Sequence, residues 1–228
     1  MVCSTFELFK IGVGPSSSHT MGPMLAAAQF VERVADSGKL NAVTRLETRL
    51  FGSLALTGKG HATDRAILLG LSGERPEHIE PDAADMLVTE IRESMQIRLN
   101  RSHAIAYDEA ADLIFDQKKR LDFHSNAMRF TAFRDQEPIA TRVYYSVGGG
   151  AVLDEDQIGS NNPESGLWDV PYRFCSGADL LRITADEGLT IADIMRANER
   201  TRQEDEAIST GIRAIADAMS DCIDRGIQ

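Results

Sequence analysis

Two short stretches of this 228-residue sequence bring glycine, hydroxyl groups and an imidazole together. The first is Gly12-Val13-Gly14-Pro15-Ser16-Ser17-Ser18-His19-Thr20, which runs into an apolar series at helical spacing. At such a helix start, free backbone N–H groups and the positive end of the helix dipole favour an anion. Serine hydroxyls add donors there, and His19 adds a group that titrates near neutrality. A carboxylate or a phosphate would suit this segment; the plainer alternative is an N-cap behind a polar loop.

The second stretch is Thr57-Gly58-Lys59-Gly60-His61-Ala62-Thr63-Asp64, another glycine-rich turn into a helix. It lacks the Walker spacing, so a nucleotide-phosphate loop is disfavoured. A single loop histidine is more often a capping or solvated residue than a catalyst. Two of them, each on a glycine loop at a helix start, make a better candidate acid/base pair than either alone. His78, His103 and His124 stand in polar stretches without a motif and read as surface residues, as does the basic run Lys118-Lys119-Arg120. The three cysteines, Cys3, Cys175 and Cys222, are far apart, with no CxxC or Cys/His cluster, so neither a metal site in this chain nor a disulfide scaffold is expected.

The elements that must carry these loops follow from periodicity. Met21, Met24, Leu25, Ala28, Val31 and Val34, with Gly38 as a stop, give a helix after the first loop. Thr44, Leu46, Thr48 and Leu50 alternate with Arg45, Glu47 and Arg49, as in a strand with one wet face. Thr63 and Asp64 can cap a helix ending near Gly73, and Asp82 with Asp85 begins another. Strands are expected at 96–100, 127–133 and 139–147, the last closed by Gly148-Gly149-Gly150. Helix and strand mix without a βαβ rhythm, so the class is α+β: a mixed sheet with helices, followed by a helical C-terminal segment. Residues 154–174 have linker composition, with Trp168 expected to anchor the linker to the first domain. Thr190 opens a capping box closed by Asp193, and Ile208, Ile212, Ile215, Met219 and Cys222 form a one-sided apolar stripe.

The totals narrow the class of function. A formal charge of −11, from 24 basic and 35 acidic side chains, disfavours nucleic acid and anionic lipid as partners. No stretch approaches the ~20 apolar residues of a membrane span. The N-terminus lacks a basic region followed by an apolar core, so cytoplasm is the expected compartment.

The run Phe6–Met24, with its Pro-Ser-Ser-Ser-His-Thr core, resembles the opening of the bacterial iron–sulfur L-serine dehydratases, also called L-serine deaminases or ammonia-lyases. Phe51–Leu71, Tyr144–Val152 and the helical tail from Leu189 onward are similar to the same family in the same order. The resemblance implies residues 1–153 as a β domain, 154–175 as a connector and 176–228 as the first helices of a catalytic α domain. It implies β-elimination of L-serine to pyruvate and ammonia in amino-acid catabolism feeding gluconeogenesis. It further implies a four-iron (4Fe-4S) cluster with its ligands outside this chain, a separate α domain as partner and a homo-oligomer. His19 and His61 match the family's two β-domain histidines and are the implied catalytic residues, with Ser16, Ser17, Ser18, Thr20 and Thr63 lining the substrate site. This chain alone is then expected to be inactive. The β domain is also similar to the allosteric serine-binding domain of some phosphoglycerate dehydrogenases, which leaves a non-catalytic binding module as the alternative.

Overall fold

A computed structural model describes residues 3–159 and 168–227. In chain order the elements begin with α1 (Thr5–Leu8), a π-helical turn (Ser17–Met21), α2 (Gly22–Asp36), β1 (Arg45–Phe51), α3 (Gly52–Thr57), a 3-10 turn (Gly58–His61), α4 (Thr63–Leu71) and α5 (Pro81–Ser94). Next come β2 (Gln96–Leu99), β3 (His103–Ala106), α6 (Glu109–Asp112), β4 (Leu113–Asp116), β5 (Asn126–Arg134), β6 (Glu137–Gly148), β7 (Ala151–Asp154) and α7 (Glu155–Gly159). Three helices follow: α8 (Gly177–Glu187), α9 (Ile191–Glu199) and α10 (Asp205–Ile227). The class is α+β, as the sequence implies.

Contacts divide the chain into two units, 12–160 and 1–11 with 161–228. In the first, a five-stranded sheet runs β4-β1-β5-β6-β7, with β1 and β4 parallel and the other neighbours antiparallel. Alternation sets its faces. Leu46, Thr48 and Leu50 of β1 and Met128, Phe130 and Ala132 of β5 are buried on one side of the sheet, where α2 lies against β5 and β6 and α4 packs in turn against α2. Phe30 stacks on Phe130, and Tyr144 meets Phe130 edge-on, filling the space between helix and sheet. The α2–α4 contact is close: a methyl group on Gly70 would run into the Met24 carbonyl.

Several expectations are corrected. Gly149 and Gly150 close a hairpin from β6 into β7 rather than ending the region. The short strands β3 and β4 and the helix α3 were not legible from periodicity. α5 begins at Pro81, with Glu80 at the cap position and no side-chain cap bond, so the Asp82–Asp85 box does not form; Asp85 pairs with Arg65 instead. Part of the expected connector, Glu155–Gly159, is helical, and residues 160–167 of it lie outside the described residues. No helix among the described residues is long and apolar enough to cross a membrane.

The second unit gathers α1 with α8, α9 and α10, so residues 3–11 pack with the C-terminal helices. The cause is a buried carboxylate. Glu199 accepts from the Ser4 hydroxyl at 2.9 and 3.0 Å and from the Thr5 N–H at 2.6 Å. Trp168 belongs here too: its indole N–H donates to Thr201 Oγ1 at 2.7 Å, and Arg202 stacks on its ring. The Thr190–Asp193 capping box forms as its spacing predicts. On α10 Ile208 is buried, whereas Ile212, Met219, Ile223 and Ile227 remain exposed.

Gly70→Ala tests the helix contact. The added methyl gains helix propensity, about 1 kcal/mol, but forces α2 and α4 apart. A net loss of about 1–3 kcal/mol is expected, read as a lower midpoint in urea unfolding of this chain.

Candidate active site

The two loops singled out by the sequence meet on the first unit. Ser16 caps the π-helical turn, its Oγ accepting from the His19 N–H at 3.2 Å. The first amides of this turn, those of Ser17 and Ser18, precede any intrahelical acceptor, as at every helix start. The capping alternative is therefore realised, at Ser16, on a turn that still offers N–H donors. Ser17 is exposed, while Ser16 and Ser18 are half-buried.

The second loop folds as a 3-10 turn, and Ala62 then takes a left-handed conformation with φ 55° before α4 begins. Such a backbone is strained for a residue with a Cβ and persists where its surroundings enforce it. The enforcement is visible. Thr20 Oγ1–H donates to the His61 carbonyl at 2.8 Å, and Thr63 Oγ1–H donates to the His19 carbonyl at 2.6 Å. Each histidine is thus held through its backbone by the threonine of the opposite loop. Both threonines are buried. Their hydroxyls serve to join the loops, and Thr63 does not cap α4 as expected. Asp64, the other expected cap, pairs with Arg92 at 3.0 Å.

The clasp sets the rings side by side, with centroids 5.0 Å apart and planes tilted by 42°. His19 is half-buried; its Nδ1 lies 2.9 Å from Ser18 Oγ and its Nε2 3.0 Å from Ser53 Oγ. Burial, and then the adjacent His61 imidazole, lower its pKa below the ordinary histidine value. His61 is exposed, with Nδ1 2.9 Å from the Thr57 carbonyl. A carbonyl oxygen only accepts, so Nδ1 carries the proton and Nε2 of the neutral ring keeps a free lone pair. His61 has the form of a base open to solvent, and His19 that of a neutral neighbour.

The sequence reading missed Ser53, Asn126 and Ser146. Gly52 bridges Asn126, the Asn126 amide donates to the Ser146 carbonyl at 3.3 Å, and Ser146 Oγ faces Gly22 at the start of α2. Asn126 Oδ1 and Ser146 Oγ are buried without a hydrogen-bond partner among the described residues. Such groups carry a desolvation cost that a bound polar molecule would remove. Of the remaining histidines, His78 is exposed, but His103 and His124 are half-buried and bonded to backbone, His103 to the Val43 carbonyl and His124 to the Asn126 N–H. Among the described residues no group of three or more His, Cys, Asp or Glu is placed to hold a metal ion, and Cys3, Cys175 and Cys222 are each exposed. These residues do not fit an iron–sulfur cluster, which takes three or four converging thiolates.

Comparison with known proteins agrees on one family. Residues 4–157 match the family described as serine dehydratase beta chain. An L-serine dehydratase of Streptomyces coelicolor is 40% identical over 228 residues, which are 100% of this chain and 50% of that protein. The Escherichia coli L-serine dehydratase TdcG is 39% identical over 226 residues, 98% of this chain and 49% of its own. An L-serine dehydratase of Helicobacter pylori is 41% identical over 224 residues, covering 98% and 48%. The chain spans about half the length of the curated relatives it matches.

Two outcomes are expected. Thr20→Val and Thr63→Val each leave a histidine carbonyl without its donor, which costs about 1–3 kcal/mol. The double variant costs less than the sum, because one broken half of the clasp already frees the other; urea unfolding of the three variants measures this. His19, with its native pKa depressed, contributes stability that is present above the ordinary histidine pKa and is lost as pH falls through the native value, since the unfolded chain takes up the proton first. Unfolding free energies across this range should show that decline, and His19→Gln should remove it.

Proposed function

The chain belongs to the serine dehydratase beta chain family, and from that premise we propose that it supplies the proton-transfer loops of an L-serine dehydratase, a lyase converting L-serine to pyruvate and ammonia. The observation that carries the proposal is the contact of His61 Nδ1 with the Thr57 carbonyl at 2.9 Å, which directs the Nε2 lone pair of the neutral ring outward, on an exposed imidazole with its centroid 5.0 Å from that of half-buried His19. The names of the relatives support the substrate.

In this reading the serine carboxylate lies against the amides and hydroxyls of Ser16, Ser17 and Ser18, where the turn favours an anion. His61 Nε2 takes the α-proton. The C–H electron pair becomes the Cα–Cβ double bond, and the β-hydroxyl leaves with its own pair and a proton as water. The resulting aminoacrylate tautomerises to an imine, and water releases ammonia and pyruvate. Thr20 and Thr63 act by holding the two rings in place. The relatives extend over about twice the length matched here. We infer that an iron–sulfur cluster, as the sequence resemblance implies, has its ligands in that remainder, and that the remainder covers the exposed stripe of α10.

Anaerobic reconstitution with iron and sulfide is therefore expected to leave this chain colourless and inactive on L-serine, while the complete protein turns over; a brown, active chain would overturn this division. In the complete protein, His19→Ala and His61→Ala should each lower turnover about a hundredfold or more, the usual scale for a positioned acid or base. His61→Ala should act mainly on kcat and alter the pH profile, and His19→Ala should also raise KM if that ring helps seat the carboxylate. Near-native turnover in both variants would sink the catalytic reading.

A further inference from the structure

Ser53 lies in neither glycine loop, yet its hydroxyl reaches His19 Nε2 at 3.0 Å across 34 residues of sequence. Ser18 Oγ stands 2.9 Å from Nδ1 on the other side of the ring. Both nitrogens of His19 therefore end on hydroxyls. A hydroxyl donates or accepts by turning about its C–O bond, so a neutral ring keeps two hydrogen bonds whichever nitrogen holds the proton. His61 is built differently, because its Nδ1 faces a carbonyl that can only accept.

The backbone around Ser53 is anchored on several sides. Gly52 sits at φ 56°, where a methyl group would run into the Ser125 carbonyl. Its N–H donates to the Lys119 carbonyl at 3.1 Å, and the Ser53 N–H donates to the Ser125 carbonyl at 2.9 Å. Thr57 Oγ1 donates to the Ser53 carbonyl at 3.0 Å. The end of β1 and the start of β5 thus fix where the Ser53 hydroxyl stands, independently of the loop that carries His19.

We propose that Ser53 is a positioning residue that acts through His19, fixing the plane of the imidazole while leaving either nitrogen able to carry the proton. The proposal deepens the function proposed above and rests on it for its purpose, since elimination removes one proton and consumes another. A ring held this way moves protons without turning. A proton arriving at Ser53 releases the Ser53 proton to Nε2, the Nδ1 proton moves to Ser18, and the Ser18 proton passes toward Ser16 Oγ, 3.5 Å away. Ser53, His19 and Ser18 each end with the number of hydrogens they had, His19 as its other tautomer, and the proton taken in at Ser53 is matched by one that leaves Ser18 by way of half-buried Ser16 to solvent.

Imidazole 15N spectra of this chain, recorded above the ordinary histidine titration range, report which nitrogen is protonated. His19 should show both tautomers. Ser53→Ala should shift their ratio about fivefold, the scale of one hydrogen bond, Ser53→Thr should restore it, and the His61 signals should stay put. Unchanged His19 signals in a folded Ser53→Ala chain would overturn the proposal; if that variant does not fold, Ser53→Cys, a weak hydrogen-bonder of similar shape, serves in its place. These spectra need no turnover. A complete protein inactive on L-serine would therefore sink the dehydratase reading and leave the tautomer result standing. Where the complete protein is active, Ser53→Ala should lower kcat about tenfold or more with KM nearly unchanged, as for a lost proton-transfer aid, and Ser53→Thr should recover it; wild-type kcat in Ser53→Ala would count against the role.

Discussion

Two buried hydroxyl-to-carbonyl bonds, Thr20 to His61 and Thr63 to His19, are the constraint on which the site depends. Neither loop has regular structure long enough to hold itself, and one contains a non-glycine residue in a left-handed conformation. What fixes them is that each begins a long-buried helix, α2 or α4, and that those two helices lie in close contact over the sheet. Apolar burial brings the helix starts together, and the crossed threonine bonds convert that proximity into a fixed distance between two imidazoles. The side chains that hold are thereby separated from the rings they position: the threonine hydroxyls are buried, His19 is half-buried and His61 is exposed.

The sheet contributes a second, independent anchor. β1 ends where Gly52 turns the chain away from β5, and the residue after that turn bonds His19. The mixed topology makes this possible, because β1 is flanked by β4 on one side and β5 on the other and its last residues are held from both. Burial then divides the pair chemically. His19, half-buried and beside another imidazole, is disfavoured as a cation, whereas His61 stands in solvent with its tautomer set by one carbonyl.

Much of this was legible in the sequence. The α4 helix runs from Thr63 as the loop chemistry suggests, the central strands obey period two, and both histidine loops sit at helix starts. The rest depended on contacts between residues remote in sequence. Ser53 at the start of α3, Asn126 at the start of β5 and Ser146 near the end of β6 are single polar residues, and only the pairing of β1, β5 and β6 brings them together. Thr63 read as a cap because local spacing allows it, but a partner 44 residues away claims its hydroxyl. The bond from Ser4 to Glu199, 195 residues away, which packs the N-terminal segment with the C-terminal helices, has no signal in local spacing.

The turn at Ser17–Met21 carries i to i+5 bonds, with the Gly22 N–H donating to the Ser17 carbonyl. A turn of this kind is an α-helix that has gained one residue. Each residue of a helix advances the side chains by about 100° around the axis. Removing one residue there would let the segment relax into an ordinary helix and swing His19 away from the face it now shares with Ser53, while the apolar face of α2 stayed docked. Between Ser16 and Gly22 the count of residues is thus itself part of the site, and exchanging one residue for another is a milder change than gaining or losing one.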